Sequence, residues 1–381
     1  MARIQKSMPA KEMALRTLLY FVVSVICIVI LYPYFVMVCT ALKSRAEIFS
    51  VNGTVLPQEA LWSNFTDIWQ KAPMAQYMLN SLMIAGGSTL IAMLCGIPAA
   101  YALARMKFKG QTAFLGFIIV SQMFAPVVLL IGIYKVMQSL ALTNSVIGLI
   151  FINAAFNQAF TIWLLRGTFL SISAEMEQAA TIDGCNRIQA MFKILLPVAA
   201  PGIVTTLIFI FINAWNEYTV ALCLISTDTL KPLTVGINIF NGYNIIEWQY
   251  LFAASIFAII PVVIMFMSIS AEMEQAATID GCNRIQAMFK VLLPMAAPGI
   301  VTTLIFIFIN AWNEYTVALC LISTDTLKPL TVGINIFNGY NIIEWQYLFA
   351  GSIFAIIPVV IMFMSIEKNL TEGLTSGGVK G

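Results

Sequence analysis

The chain has 381 residues, 60% of them hydrophobic and only 10% charged, with a formal net charge of +2. A soluble domain carries about 25% charged residues, so water cannot be the main solvent of this chain. Histidine is absent, which removes the commonest general base and proton shuttle and argues against enzyme chemistry. So small a net charge gives no sign of a nucleic-acid partner.

In chain order, no Asp, Glu, Lys or Arg falls between Arg16 and Lys43, Lys71 and Arg105, Lys109 and Lys135, or Lys135 and Arg166. Each gap holds the roughly 20 apolar residues that cross a bilayer as a helix. The first, from Leu18 to Leu42, exceeds the roughly 7–15 apolar residues of a cleaved signal. In the loop after it, Trp62, Phe65, Ile68 and Trp69 recur at helical spacing, predicting a short amphipathic anchor at the interface. Two more spans are predicted at about Ala199–Ile225 and Leu251–Ile269.

The loop after the fourth span is more structured than a connection between membrane helices requires. Ser173 is placed to cap a helix whose first turn carries Glu175 and Glu177, and Gly184 to end it. Asn186 is placed to cap a second helix, from Arg187 to about Leu195, with Pro197 and Pro201 bracketing entry to the fifth span. Ala179, Ala180, Ile182, Ile188, Met191 and Phe192 offer apolar faces. A cytoplasmic knob with exposed apolar side chains suggests a docking partner.

From Ser171 the sequence is written twice. Ser171–Ile269 repeats as Ser268–Ile366 with a period of 97 and three differences, Ile194/Val291, Val198/Met295 and Ala254/Gly351. Repeat architectures use units of roughly 20–50 residues. This one reads as a recent in-frame duplication or as an error in assembling the sequence. It adds spans at about Ala296–Ile322 and Leu348–Ile366. With the N-terminus inside, 14 of the 20 Lys and Arg residues fall on the cytoplasmic side, as the positive-inside rule requires. The C-terminus is then also inside, because the repeat adds an even number of spans. Of the seven cysteines, Cys27, Cys39, Cys95, Cys223 and Cys320 fall in apolar spans. Cys185 and its copy Cys282 lie in loops. No metal site or disulfide framework follows.

Glu217 sits in an apolar span beside Trp215, Asn216 and Tyr218. An intramembrane carboxylate is costly and so marks a pathway, a gate or a helix–helix hydrogen bond. Flat aromatic faces with hydrogen-bonding groups are also what a sugar requires. Asn153, Asn157 and Gln158 either line the same path or join helices.

Three stretches bring a family into view: Glu177-Gln-Ala-Ala-Thr-Ile-Asp-Gly184 followed by Leu195-Leu-Pro197, Asn213-Ala-Trp-Asn-Glu-Tyr218, and Gly373-Leu-Thr-Ser-Gly-Gly-Val-Lys-Gly381. Together they resemble the EAA loop, the A-W-N-[DE]-[FY] signature and the tail of the second permease of maltose-transporter-like bacterial ABC importers. Gln178 departs from the usual E-A-A, with Glu177 one place earlier. The resemblance implies a complex of two different permeases, two ATP-binding subunits and an extracytoplasmic sugar-binding protein, embedded in inner-membrane lipid. It implies ATPase coupling through Glu177, Ala179, Ala180, Asp183 and Gly184, and through Glu274, Ala276, Ala277, Asp280 and Gly281 of the copy. Gly377, Gly378 and Lys380 of the tail would lie at the ATPase interface. The chain itself has no G-x-x-x-x-G-K-[ST] phosphate loop, and no cofactor or metal is implied.

The predicted architecture is an all-α polytopic membrane protein, a six-span permease bundle plus two duplicated spans, eight in total. Residues 1–170 hold spans one to four. Residues 171–269 hold the loop with spans five and six, 268–366 the second copy, and 367–381 a cytoplasmic tail. A stand-alone secondary carrier and a structural membrane protein are the rival classes; the carrier's usual inverted repeat is missing, because these copies have the same orientation.

Overall fold

The computed structural model describes residues 10–51, 53–122, 126–242, 246–276, 308–309, 311–337, 346–348 and 350–361. It is helical, and no strand longer than an isolated bridge occurs among the described residues. Contacts divide the chain into two units, Met1–Ala75 with Gly236–Ile260, and Gln76–Val235 with Pro261–Gly381.

The first unit opens with α1 (Ala10–Ala41), whose apolar stretch is exposed from Leu19 to Phe35 and buried at Cys39 and Ala41 near its end. A one-turn α2 (Arg45–Ile48) is capped by Ser44. The amphipathic segment forms α3 (Asn64–Lys71), with Ile68 buried and Trp69 exposed, while exposed Trp62 precedes the helix. Trp69 meets Phe257 edge-on at 5.3 Å, and Lys71 lies over the Tyr250 ring at 4.8 Å. Asn64 donates from Nδ2 to the carbonyls of Ala41 and Lys43, closing the turn after α1.

The second unit is organised on two long helices, α4 (Met74–Arg105) and, after α5 (Gln111–Gln122) and α6 (Pro126–Ser139), α7 (Val146–Ser171). The third predicted span is thus shared between α5 and α6, whose junction at 123–125 lies outside the described residues. Small side chains set the helix spacing. A Cβ on Gly96 of α4 would meet Thr161 of α7 at 2.4 Å. Buried Leu165, Phe169 and Leu195, with Tyr101 and Ile210, form the core around these helices.

After α8 (Ala174–Ile182), α9 (Arg187–Ala190) runs into a π turn, Met191–Leu195, then α10 (Leu196–Val198) and α11 (Ala200–Trp215). The Arg187–Val198 arm and α11 meet at 79°. The bend has a local cause: Pro201 has no N–H to give the Pro197 carbonyl, and its ring crowds that oxygen. The fifth span is therefore not the continuous helix predicted over Ala199–Ile225. It stops at Trp215 and resumes as α12 (Thr219–Leu224), followed by α13 (Leu233–Gly236).

Helix α14 (Trp248–Ala276) covers the sixth span. It also runs through Ile269 and Ser270, where the copied loop was expected to begin a new helix. Glu274 and Ala276 accordingly belong to the end of α14. Ala277, Asp280 and Gly281 lie outside the described residues, as do Gly377, Gly378 and Lys380. Among the described residues, four helices are long and apolar enough to cross a membrane, or five if the bent pair counts as one span. Residues 296–307 and 310 of the copied fifth span are likewise outside the described residues.

Candidate functional site

The loop between α7 and α11 is built by local hydrogen bonds that its sequence supplies. Ser173 Oγ accepts the Glu175 N–H at 3.2 Å and caps α8. Gly184 takes φ +86°, the left-handed conformation in which glycine pays no Cβ penalty, while Cys185 N–H reaches the Ala180 carbonyl at 2.9 Å. Asn186 and Gln189 form a reciprocal capping box at 2.8 and 2.9 Å.

These caps sort the apolar residues into two faces. Ala180, Ala190 and Met191 are buried, whereas Met176, Ile182, Ile188 and Phe192 are exposed. Ala179, Asp183 and Gly184 are also exposed. Glu177 is turned inward. Its Oε1 accepts from Arg105 Nε at 2.5 Å and its Oε2 from the Tyr101 hydroxyl at 3.0 Å. Arg105 Nη2 also donates to the Ile172 carbonyl at 2.8 Å. The pair is largely buried, with 13% and 12% of the two side chains exposed. Beside it opens a cleft of about 490 Å³ lined by Tyr101, Arg105, Glu177, Gln178, Thr181 and Arg187.

The second group lies at the break between α11 and α12. Trp215 is buried and stacks on Phe211 at 5.8 Å, and Asn216 is exposed. The Glu217 carboxylate accepts the N–H groups of Val220 at 2.7 Å and Ala221 at 3.1 Å. Thr234 Oγ1 donates to the Glu217 carbonyl at 2.8 Å. Glu217 thus caps α12, supplying acceptors for the N–H groups that the break exposes. Asn153 and Asn157 are buried in α7, and each Nδ2 turns back to a carbonyl four residues earlier, Leu149 and Asn153, at 2.9 Å. The structure does not gather these asparagines with the Trp215–Tyr218 group by any of these bonds.

Several residues absent from the sequence reading hold this arrangement. Asn80 Nδ2 donates to the carbonyls of Thr229 and Lys231 at 2.8 and 2.9 Å, and Ser81 Oγ accepts Leu233 N–H at 2.7 Å. Asn144 accepts from Ser226 and Thr227 N–H at 3.1 Å each. Tyr101 and Arg105 stand one helical turn apart, the only local hint of a joint role.

Residues 92–269, and again residues 248–375, match the family of binding-protein-dependent transport system inner membrane components. The chain belongs to this family. The permease is 33% identical over 266 residues to the sulfoquinovosyl glycerol transport system permease protein of Agrobacterium fabrum, covering 70% of this chain and 93% of that one. It is 30% identical to the diacetylchitobiose uptake system permease protein DasC of Streptomyces coelicolor, over 64% of this chain and 88% of that one. It is 33% identical to the trehalose/maltose transport system permease protein of Thermococcus litoralis, over 50% and 68% of the two chains. A chain of a bacterial ABC transporter involved in the import of the acidic polysaccharide alginate has the same fold, with TM-score 0.60 at 22% identity. That match covers 72% of this permease and all of the other chain. These relatives are transport subunits, not enzymes.

Proposed function

We propose that this permease forms part of the translocation pathway of an ATP-driven importer for a sugar or oligosaccharide, in the bacterial inner membrane with both termini cytoplasmic. It pairs with a second, different permease, with two ATP-binding subunits and with an extracytoplasmic sugar-binding protein. The relatives named for sugar uptake support the substrate class. The observation that carries the coupling role is the capped loop with Met176, Ile182, Ile188 and Phe192 exposed. Burying an exposed apolar row against a partner is favourable at about 25 cal/mol per Å². Ala179, Asp183 and Gly184, exposed on the same loop, belong to that contact. The tail residues Gly377, Gly378 and Lys380 join it at the ATPase interface. Closure of the ATP-binding pair would then move the loop and rock the membrane helices between inward- and outward-open states.

For the pathway we assign Asn216, exposed at the break, as a hydrogen-bonding group, with Trp215 and Tyr218 as its aromatic frame. Glu217 keeps the break open by capping α12 rather than by grasping sugar. Co-expression with the ATP-binding subunits tests the reading: the complex should purify intact, and Phe192→Glu with Ile188→Glu should release those subunits. Retention of the ATP-binding subunits by that double variant would overturn the coupling assignment. Single thiols at Ser173 and Ser270 in a cysteine-free chain should label only from the cytoplasmic side, and labelling from outside would overturn the orientation.

A further inference from the structure

We propose that Arg105 is the positioning residue that seats the coupling loop, and that it seats the first copy only; this rests on the coupling role assigned above. Arg105 is the last residue of α4 and holds two elements at once. One N–H fixes the Ile172 carbonyl just beyond α7, and another fixes the Glu177 carboxylate in the first turn of α8. Ile172 is extended, with φ −90° and ψ 131°, so the chain turns between the two helices at this point. Tyr101, one turn earlier on α4, completes the grip on Glu177.

The local sequence does not dictate that turn. Ser171-Ile-Ser-Ala-Glu-Met-Glu-Gln-Ala-Ala180 recurs as Ser268–Ala277, and there α14 continues as helix through Ile269 and Ser270 to Ala276. One decapeptide is thus broken in the first copy and helical through nine of its ten residues in the second. What differs is the partner. Arg105 precedes the repeat and occurs once, and it is engaged by the first copy. A charged group this buried is strongly disfavoured without its counter-ion. The same ion pair therefore both shapes the loop and chooses which copy is shaped. It also links the loop directly to α4, so displacement of α8 is carried to a membrane-spanning helix.

The test is a charge exchange with a distance readout. In the assembled complex, spin labels at exposed Phe108 and Glu175 on a cysteine-free chain report the seat. The narrow distance distribution should broaden in R105E, with retention of the ATP-binding subunits falling about tenfold. R105E/E177R should narrow the distribution and restore about half of that retention, since a reversed pair recovers the coupling energy but not the Ile172 bond. R105E/E274R, which offers the reversed partner on the second copy, should restore neither. Where R105E fails to accumulate, R105Q is measured in the same way. An unchanged distance in R105E, or rescue by E274R, overturns the proposal. Distances that change and recover as stated while retention stays constant support the seat and overturn the coupling reading instead.

Discussion

The two copies of the repeat are almost the same sequence, and their hydrogen bonds divide by range. Among the described residues, the short-range bonds around Glu217 and Lys231 recur in the second copy. Glu314 accepts the N–H groups of Val317 and Ala318 at 2.7 and 3.0 Å, matching Glu217 with Val220 and Ala221. Thr331 donates to the Glu314 carbonyl at 2.9 Å as Thr234 does to Glu217, and Lys328–Asp325 repeats Lys231–Asp228 at 2.6 Å. The first copy adds bonds to residues that the chain has once. Arg105 and Tyr101 grip it at one end of α4, Asn80 and Ser81 at the other, and Asn144 between α6 and α7. The duplicated segment around Glu314 carries its local interactions with it. It does not carry the partners that lie outside the duplication.

The largest effect should separate Gly202 from its copy Gly299. A Cβ on Gly202 would meet Thr168 Cγ2 at 2.3 Å and Oγ1 at 2.6 Å, and a β-branched neighbour has little freedom to yield. Gly202→Val should cost about 1–3 kcal/mol by overpacking α7 against α11. It should sharply lower the amount of folded permease in membranes, while Gly299→Val should not. Equal losses would show that both copies are packed alike.

Asn80→Ala comes next. It removes both donors to the loop after α12, from a side chain only 1% exposed, at about 1–2 kcal/mol. Protease cleavage within Thr227–Lys231 should become faster, and cleavage within Thr324–Lys328 should not. A matching rise at the second segment would mean that Asn80 serves the whole bundle.

The smallest effect tests the bonds the copies share. Glu217→Ala and Glu314→Ala each delete a helix cap, about 1 kcal/mol. Both should be inserted normally, with hydrogen exchange rising locally at Val220–Ala221 or Val317–Ala318. Transport should fall only with the first change. Normal uptake in Glu217→Ala would leave the α11–α12 break with no part in the pathway.

What could be read from sequence follows the same division by range. The caps at Ser173, Gly184 and Asn186 were legible because donor and acceptor lie two to five residues apart and the residue types are selective. The apolar helices α1, α4 and α7 were legible from the missing charges. Glu217 was visible as an oddity in an apolar run, but its use as a cap was not, because its neighbours equally suit a sugar. The Arg105–Glu177 pair joins residues 72 apart, and Asn80 reaches 149 and 151 residues along the chain. No periodicity records such pairings. The continuation of α14 through Ser270 was missed because the capping signal is the same in both copies.

The 79° elbow between Arg187–Val198 and α11 gives the chain a lever. The 12-residue arm, at about 1.5 Å per residue, is about 18 Å long. A pivot of only ~10° at Ala199 would sweep its far end by about 3 Å, close to the rise of two helical residues. On the proposed coupling role, force applied at the loop would arrive in α11 largely as torque across its axis instead of thrust along it. A helix nearly at right angles to its driver can tilt without having to slide, so its side chains would keep their depth in the bilayer as it moves.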